Sequence, residues 1–187
     1  MKRYGVIGWK NAGKTTLIEK LVQEITARGL SVSTLKHAHH GFEIDHEGKD
    51  SWIHRQAGAR EVLVASEKRW ALMSELRGAA PPDLDSLIAK MTPVDLVLIE
   101  GFKRASHPKI EVRRGDEASA HSADAAAEGT VRAIASDRTS ALAIDLASPA
   151  HADAAAALPQ FHIDDAAGIA SFLLADVQLA TAGRATE

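Results

Sequence analysis

The chain has 187 residues, no cysteine, 45% apolar and 25% charged residues, and a net charge of −3. This composition excludes a disulfide scaffold and thiolate metal sites, and it argues against a chain-wide nucleic-acid surface, so any anion site must be local. No apolar run approaches the ~20 residues of a membrane span, and the opening MKRYGVIGWK is too short an apolar run for a signal peptide; a cytoplasmic α/β protein is expected.

Residues 4–8 form a short apolar run ending in glycine, which reads as a buried strand. Residues 14–28 carry Leu17, Ile18, Leu21, Val22 and Ile25 at helical spacing, with Gly29 as the C-terminal cap, and residues 30–35 read as a second strand. The result is a βαβ unit. A short helix is predicted over 49–59, then two strands over 61–65 and 69–73 joined by a charged turn. Asp83 caps a helix bearing Leu84, Leu87, Ile88 and Met91, which Thr92-Pro93 stops. Residues 94–99 are the most apolar run and predict a central strand buried on both faces. Further strands are predicted over 109–112, 131–135 and 161–163, a loop or weak helix over 118–129, a short helix over 152–157 and a closing helix over 165–179. The expected architecture is a P-loop NTPase-like three-layer α/β fold with a mostly parallel sheet and an added β-hairpin. Residues 1–179 read as one domain and 180–187 as a flexible tail.

The sharpest motif is GWKNAGKTT, residues 8–16, which fits G-x-x-x-x-G-K-[ST] at Gly8, Gly13, Lys14 and Thr15. It lies between a predicted strand and a predicted helix, where its chemistry requires it. Glycines let backbone amides turn inward, and the helix N-terminus adds unpaired N–H groups and the positive end of its dipole. The loop residues Gly8, Asn11, Ala12, Gly13, Lys14, Thr15 and Thr16 are therefore candidates for cradling phosphates. Lys14 would bridge the β- and γ-phosphates, and the Thr15 hydroxyl would ligate Mg²⁺. A second acid for magnesium is expected at a strand's C-terminal edge, and VDLVLIEGFK supplies Glu100 there, whereas Asp95 falls at the opposite edge. For the base, AIASDR ends a strand in Ser136-Asp137. A carboxylate can accept both N1–H and N2–H₂ of guanine, a contact adenine does not offer. The N-K-x-D guanine motif is absent, and a plain strand-end turn is the competing reading.

Together, GWKNAGKTTL, LKHAHHGFEIDHEGKDSWIHRQAGA, DLVLIEGFK and the Ser-Asp of AIASD resemble the MobB family of molybdopterin-guanine dinucleotide biosynthesis adaptor proteins. The resemblance implies a homodimeric, cytoplasmic GTP-binding protein with weak GTPase activity, using GTP and Mg²⁺. It implies a molybdopterin-type ligand and, as partner, the guanylyltransferase that joins GMP to molybdopterin. It also implies kinship with dimeric P-loop GTPases, many of which carry an additional lysine in the loop. Here that slot is Trp9, and Lys10 stands one place away.

The histidine-rich stretch over 36–55 holds five of the nine histidines: His37, His39, His40, His46 and His54. Under the resemblance it is a switch-like segment. Asp45 or Asp50 would then orient water or magnesium in catalysis, while Lys36, His37, Lys49 and Arg55 offer positive groups to a phosphate-bearing pterin. A metal site on His37, His39 and His40 and an inert solvated loop are the competing readings; on an extended segment His40 faces away from the other two. The metal reading corresponds to an alternative function, a nickel-type metallochaperone GTPase. A small-molecule P-loop kinase is a further alternative, although its arginine-rich lid would have to be EVRRGDE. The apolar residues Trp70, Leu72 and Met73 exceed what an exposed edge should tolerate, which again predicts a homodimer.

Overall fold

The computed structural model describes residues 1–38, 41–115, 129–138 and 158–180. The elements are β1 (Lys2–Gly8), α1 (Lys14–Ala27), β2 (Val32–Lys36), α2 (Asp50–Gln56), β3 (Glu61–Ala65), β4 (Trp70–Ser74), α3 (Leu84–Ile88), β5 (Leu96–Glu100), β6 (Lys109–Arg113), β7 (Val131–Ser136), β8 (Gln160–His162) and α4 (Ala166–Asp176). The expectations over 118–128, over 152–157 and for the tail beyond residue 180, together with His39 and His40, lie outside the described residues.

Among the described residues six strands form one sheet in the order β2-β5-β1-β6-β7-β8, and each of its pairs is parallel, as the expected P-loop NTPase-like fold requires. β1 begins at Lys2, earlier than apolarity predicts, because backbone pairing of Lys2 with Leu96 defines its start. β5 runs on through Glu100, which pairs with Val6 and Lys36. α2 is shorter at both ends than the predicted helix, and Gly58 takes a left-handed φ of 114° just beyond it.

Two compact units divide the chain: residues 1–37 with 92–187, and residues 38–91. In the first, α1 and α4 pack on one face of the sheet. Leu17, Leu21 and Ile25 meet Ile169, Leu173 and Leu174 over Tyr4, Val6, Leu98 and Ile110. Each of these large aliphatic side chains contributes about 1.5–3 kcal/mol by leaving water. Tyr4 is buried, and its hydroxyl donates to Asp176 Oδ2 at 3.1 Å, tying β1 to α4. On the opposite face the connection from β5 to β6 passes beside β1. There Gly5 leaves room for the His107 ring, and a Cβ would stand 2.7 Å from its Nε2. Buried Lys109 donates to the carbonyls of Ala105 and His107, which satisfies the turn from inside.

The second unit contains α2, the antiparallel β3–β4 hairpin and α3. Asp83 caps α3, accepting from Ser86 N at 2.7 Å, as its position predicts. Arg55 is the electrostatic centre of this unit. It donates to Asp45 at 2.8 and 3.1 Å, to Glu75 at 2.7 Å and to Glu43 at 2.6 Å. Among the described residues, no helix is long and apolar enough to cross a membrane.

Candidate functional site

The loop between β1 and α1 owes its path to three left-handed backbone positions: Gly8 (φ 148°), Asn11 (φ 64°) and Gly13 (φ 100°). At Gly8 a Cβ would lie 2.3 Å from the carbonyl oxygen of Val112, so only glycine fits against β6. Gly13 stands where a helix usually carries Ser, Thr or Asp, and no side chain caps α1. The first amides of the helix are therefore left to an external acceptor.

Lys14 folds back over the loop and donates to Trp9 O at 2.5 Å. Burial lowers its pKa, Lys103 and Lys36 push the same way, and Glu100 opposes them. Glu100 reaches this point because β5 is the neighbour of β1 and their register sets Glu100 beside Val6, two residues before the loop. Thr15 Oγ1 donates to Glu100 Oε2 at 3.4 Å, and Lys36 Nζ lies 3.5 Å from the same oxygen. The hydroxyl and the carboxylate are hard oxygen donors that suit Mg²⁺.

These groups open on a cavity of about 430 Å³. Of the residues expected from sequence, Asn11, Gly13, Lys14, Thr15, Thr16, Lys36 and Glu100 line it. Gly8 and Ala12 do not: Gly8 packs on Val112, and Ala12 is buried in the core. Lys10 and Arg114, neither of them expected as a binding residue from sequence, also line the cavity. Four cations therefore face a single carboxylate, a charge balance that favours a polyanion accompanied by a metal ion.

Ser136 ends β7 and Asp137 follows it. Ser136 is buried and its Oγ accepts from Arg138 N at 3.2 Å. Asp137 Oδ1 accepts from Gly115 N at 3.2 Å, and its Oδ2 lies 3.6 Å from Arg114 Nε. His37 continues β2: its N–H donates to Glu100 O at 2.9 Å, and its ring packs against Phe102 at 4.6 Å between centroids. Lys103 stands over the Trp9 ring at 5.7 Å. Asp95 accepts from Ser31 N and Oγ at 2.8 and 2.6 Å and so closes the far end of β5.

Asp45, Lys49, Asp50 and Arg55 belong to the second unit. Asp45 and Arg55 spend their charge on each other, with side chains only 6% and 11% exposed. Lys49 precedes α2 as its cap, and Asp50 opens its first turn. Among the described residues, no cluster of three or more His, Asp or Glu could hold a metal ion.

A parallel sheet, a glycine loop between β1 and α1, and an acid at the end of the adjoining strand define a P-loop NTPase-like protein. Residues 4–137 match the family model of molybdopterin guanine dinucleotide synthesis protein B, and the chain belongs to that family. It is 46% identical over 112 residues to the molybdopterin-guanine dinucleotide biosynthesis adapter protein of Haemophilus influenzae, a match covering 59% of this chain and 62% of that one, which is under two thirds of the relative's length. It is 41% identical over 131 residues to the adapter protein of that name from Escherichia coli, covering 69% of this chain and 74% of that one. Its fold is similar to a crystal structure of molybdopterin-guanine biosynthesis protein B, with a TM-score of 0.68 at 25% identity over 92% of this chain and 98% of the other. It is also similar to Bacillus subtilis MobB, with a TM-score of 0.67 at 27% identity over 95% and 98%.

Proposed function

We propose that this chain is a cytoplasmic adapter that binds GTP with Mg²⁺, hydrolyses it weakly, and supports the guanylyltransferase that joins GMP to molybdopterin. The observation that carries the reading is the convergence of Thr15 and Glu100 at 3.4 Å, in the wall of a cavity also lined by lysines. Lys14 exchanges the Trp9 carbonyl for the β- and γ-phosphates, and the amides at the start of α1 hold the β-phosphate. Thr15 and Glu100 would hold Mg²⁺, which supplies charge neutralisation along the phosphate chain when bound. Asp137 accepts from the guanine edge. Lys36 and His37 stand at the sheet end from which a phosphate-bearing pterin would be reached, and Lys49 and Asp50 belong to the switch-like segment of the second unit. Asp45 and Arg55 are not carried into this proposal, because their salt bridge already commits both groups.

The role is tested by reconstitution. Adding this chain and Mg·GTP to a guanylyltransferase from the same source and molybdopterin should raise the yield of the guanine dinucleotide. The same addition of Lys14→Ala protein should not. Equal yields with and without the chain would remove the adapter role.

We further infer a homodimer built on the hairpin. Leu63 pairs with Leu72 and Ala65 with Trp70, and Leu63, Trp70 and Leu72 are exposed at 59%, 63% and 42%. Such a face is costly to leave in water, and a second copy covers it with matching chemistry. Light scattering at micromolar concentration should give twice the 19.9 kDa chain mass, and Leu72→Glu should return it to the single mass. A single mass for the unmodified protein would refute the dimer.

A further inference from the structure

Two arginines follow one another at the end of β6, and the structure gives them opposite tasks. Arg113 turns back to Glu111, with bonds of 3.1 and 2.8 Å, and both side chains are largely buried. That pair is structural. Arg114 emerges on the other side and is 60% exposed. The parallel register of β1 and β6 pairs Gly8 with Val112, so the chain leaves β6 directly beside the phosphate loop. Arg114 consequently lines the same cavity as Lys10, Lys14 and Lys36.

What holds Arg114 there is Asp137. One carboxylate oxygen takes the N–H of Gly115 at 3.2 Å, and the other lies 3.6 Å from Arg114 Nε. Gly115 has a left-handed φ of 67°, so the chain turns sharply at this point, with Asp137 bracing the turn from β7. The pair is partly exposed and therefore weak, which leaves the guanidinium available to a stronger anion. A guanidinium binds phosphate through two parallel N–H donors, a geometry that a lysine ammonium does not reproduce.

We propose that Arg114 is a phosphate ligand of this cavity, and that Asp137 positions it, so that the acid at the base end and the cation at the phosphate end act as one coupled pair. The proposal rests on the nucleotide-binding reading, which it deepens. Guanine and Arg114 then share one carboxylate, and the identity of the base alters how the phosphate chain is held.

Inorganic triphosphate with Mg²⁺ separates this idea from base recognition, because it carries no base. Calorimetric titration of triphosphate should show Arg114→Ala binding about tenfold or more weaker than the unmodified protein, with Arg114→Lys recovering only part of the loss. Asp137→Asn keeps an acceptor for Gly115 but removes the charge facing Arg114. It should weaken triphosphate about threefold in the unmodified background and have no effect in the Arg114→Ala background. Triphosphate affinity unchanged by Arg114→Ala would overturn the assignment, as would an unmodified protein that does not bind triphosphate. An Asp137→Asn effect of equal size in both backgrounds would overturn the coupling. A protein that passes these tests yet binds GTP no better than ATP would retain the Arg114 assignment and lose only the guanine reading.

Discussion

Replacing Lys14 with alanine should weaken Mg·GTP binding by about 2–3 kcal/mol, roughly a hundredfold, the scale of a charge-assisted contact to phosphate. The wild-type lysine enters binding already short of water: burial is the first cause of its lowered pKa, and its ammonium is anchored on Trp9 O. A phosphate that replaces that carbonyl meets a donor that the fold has already partly desolvated. The substitution leaves the backbone of the loop alone, so folding stability should hardly change. Calorimetry and a thermal melt on the same sample read the two quantities separately. Binding within twofold of the unmodified protein would contradict the assigned role.

Gly8→Ala should act on both quantities. The new Cβ would stand 2.3 Å from Val112 O, and this carbonyl is held by the β1–β6 ladder, where Gly8 and Val112 are register partners. The φ of 148° is also one that side-chain-bearing residues rarely adopt. Strain and forced sheet movement together should cost about 3 kcal/mol. For a domain of this size that lowers the thermal midpoint by about 6–12 °C. Gly29→Ala is the control: its φ is 83°, but nothing lies within 4 Å of the added carbon. It should cost only the backbone term, about 1 kcal/mol. Equal melting shifts for the two variants would show that close approach to β6 is not what excludes a side chain at Gly8.

The phosphate loop was legible in the sequence because its parts are contiguous: Gly8, Gly13, Lys14 and Thr15 sit within one short turn. Glu100 was legible because an apolar run, 96–99, ends in a lone acid. Strand order was not, since each parallel crossover allows several neighbours, and only the pairing of β1 with both β5 and β6 sets Glu100 on one side of the loop and Arg114 on the other. Arg114 carried one faint signal, the doubled arginine of EVRRGDE. Nothing local distinguishes the arginine that pairs with Glu111 from the one that enters the cavity. The Arg55 network shows the same limit. Glu43 and Asp45 approach Arg55 from one stretch and Glu75 from another, so the sequence offers Arg55 as an available cation where the fold has already satisfied it. The place of His107 over Gly5 was hidden as well, because a missing side chain in a strand gives no sign of what fills its space.

The central claim is that the cavity beside Thr15 and Glu100 takes GTP with magnesium. Calorimetric titration of the unmodified protein with GTP and with ATP, each with Mg²⁺ and again with chelator, tests it most directly. One GTP should bind per chain, ATP should bind at least tenfold more weakly, and GTP affinity should fall when magnesium is removed. Equal affinity for the two nucleotides, or GTP binding indifferent to magnesium, would contradict it.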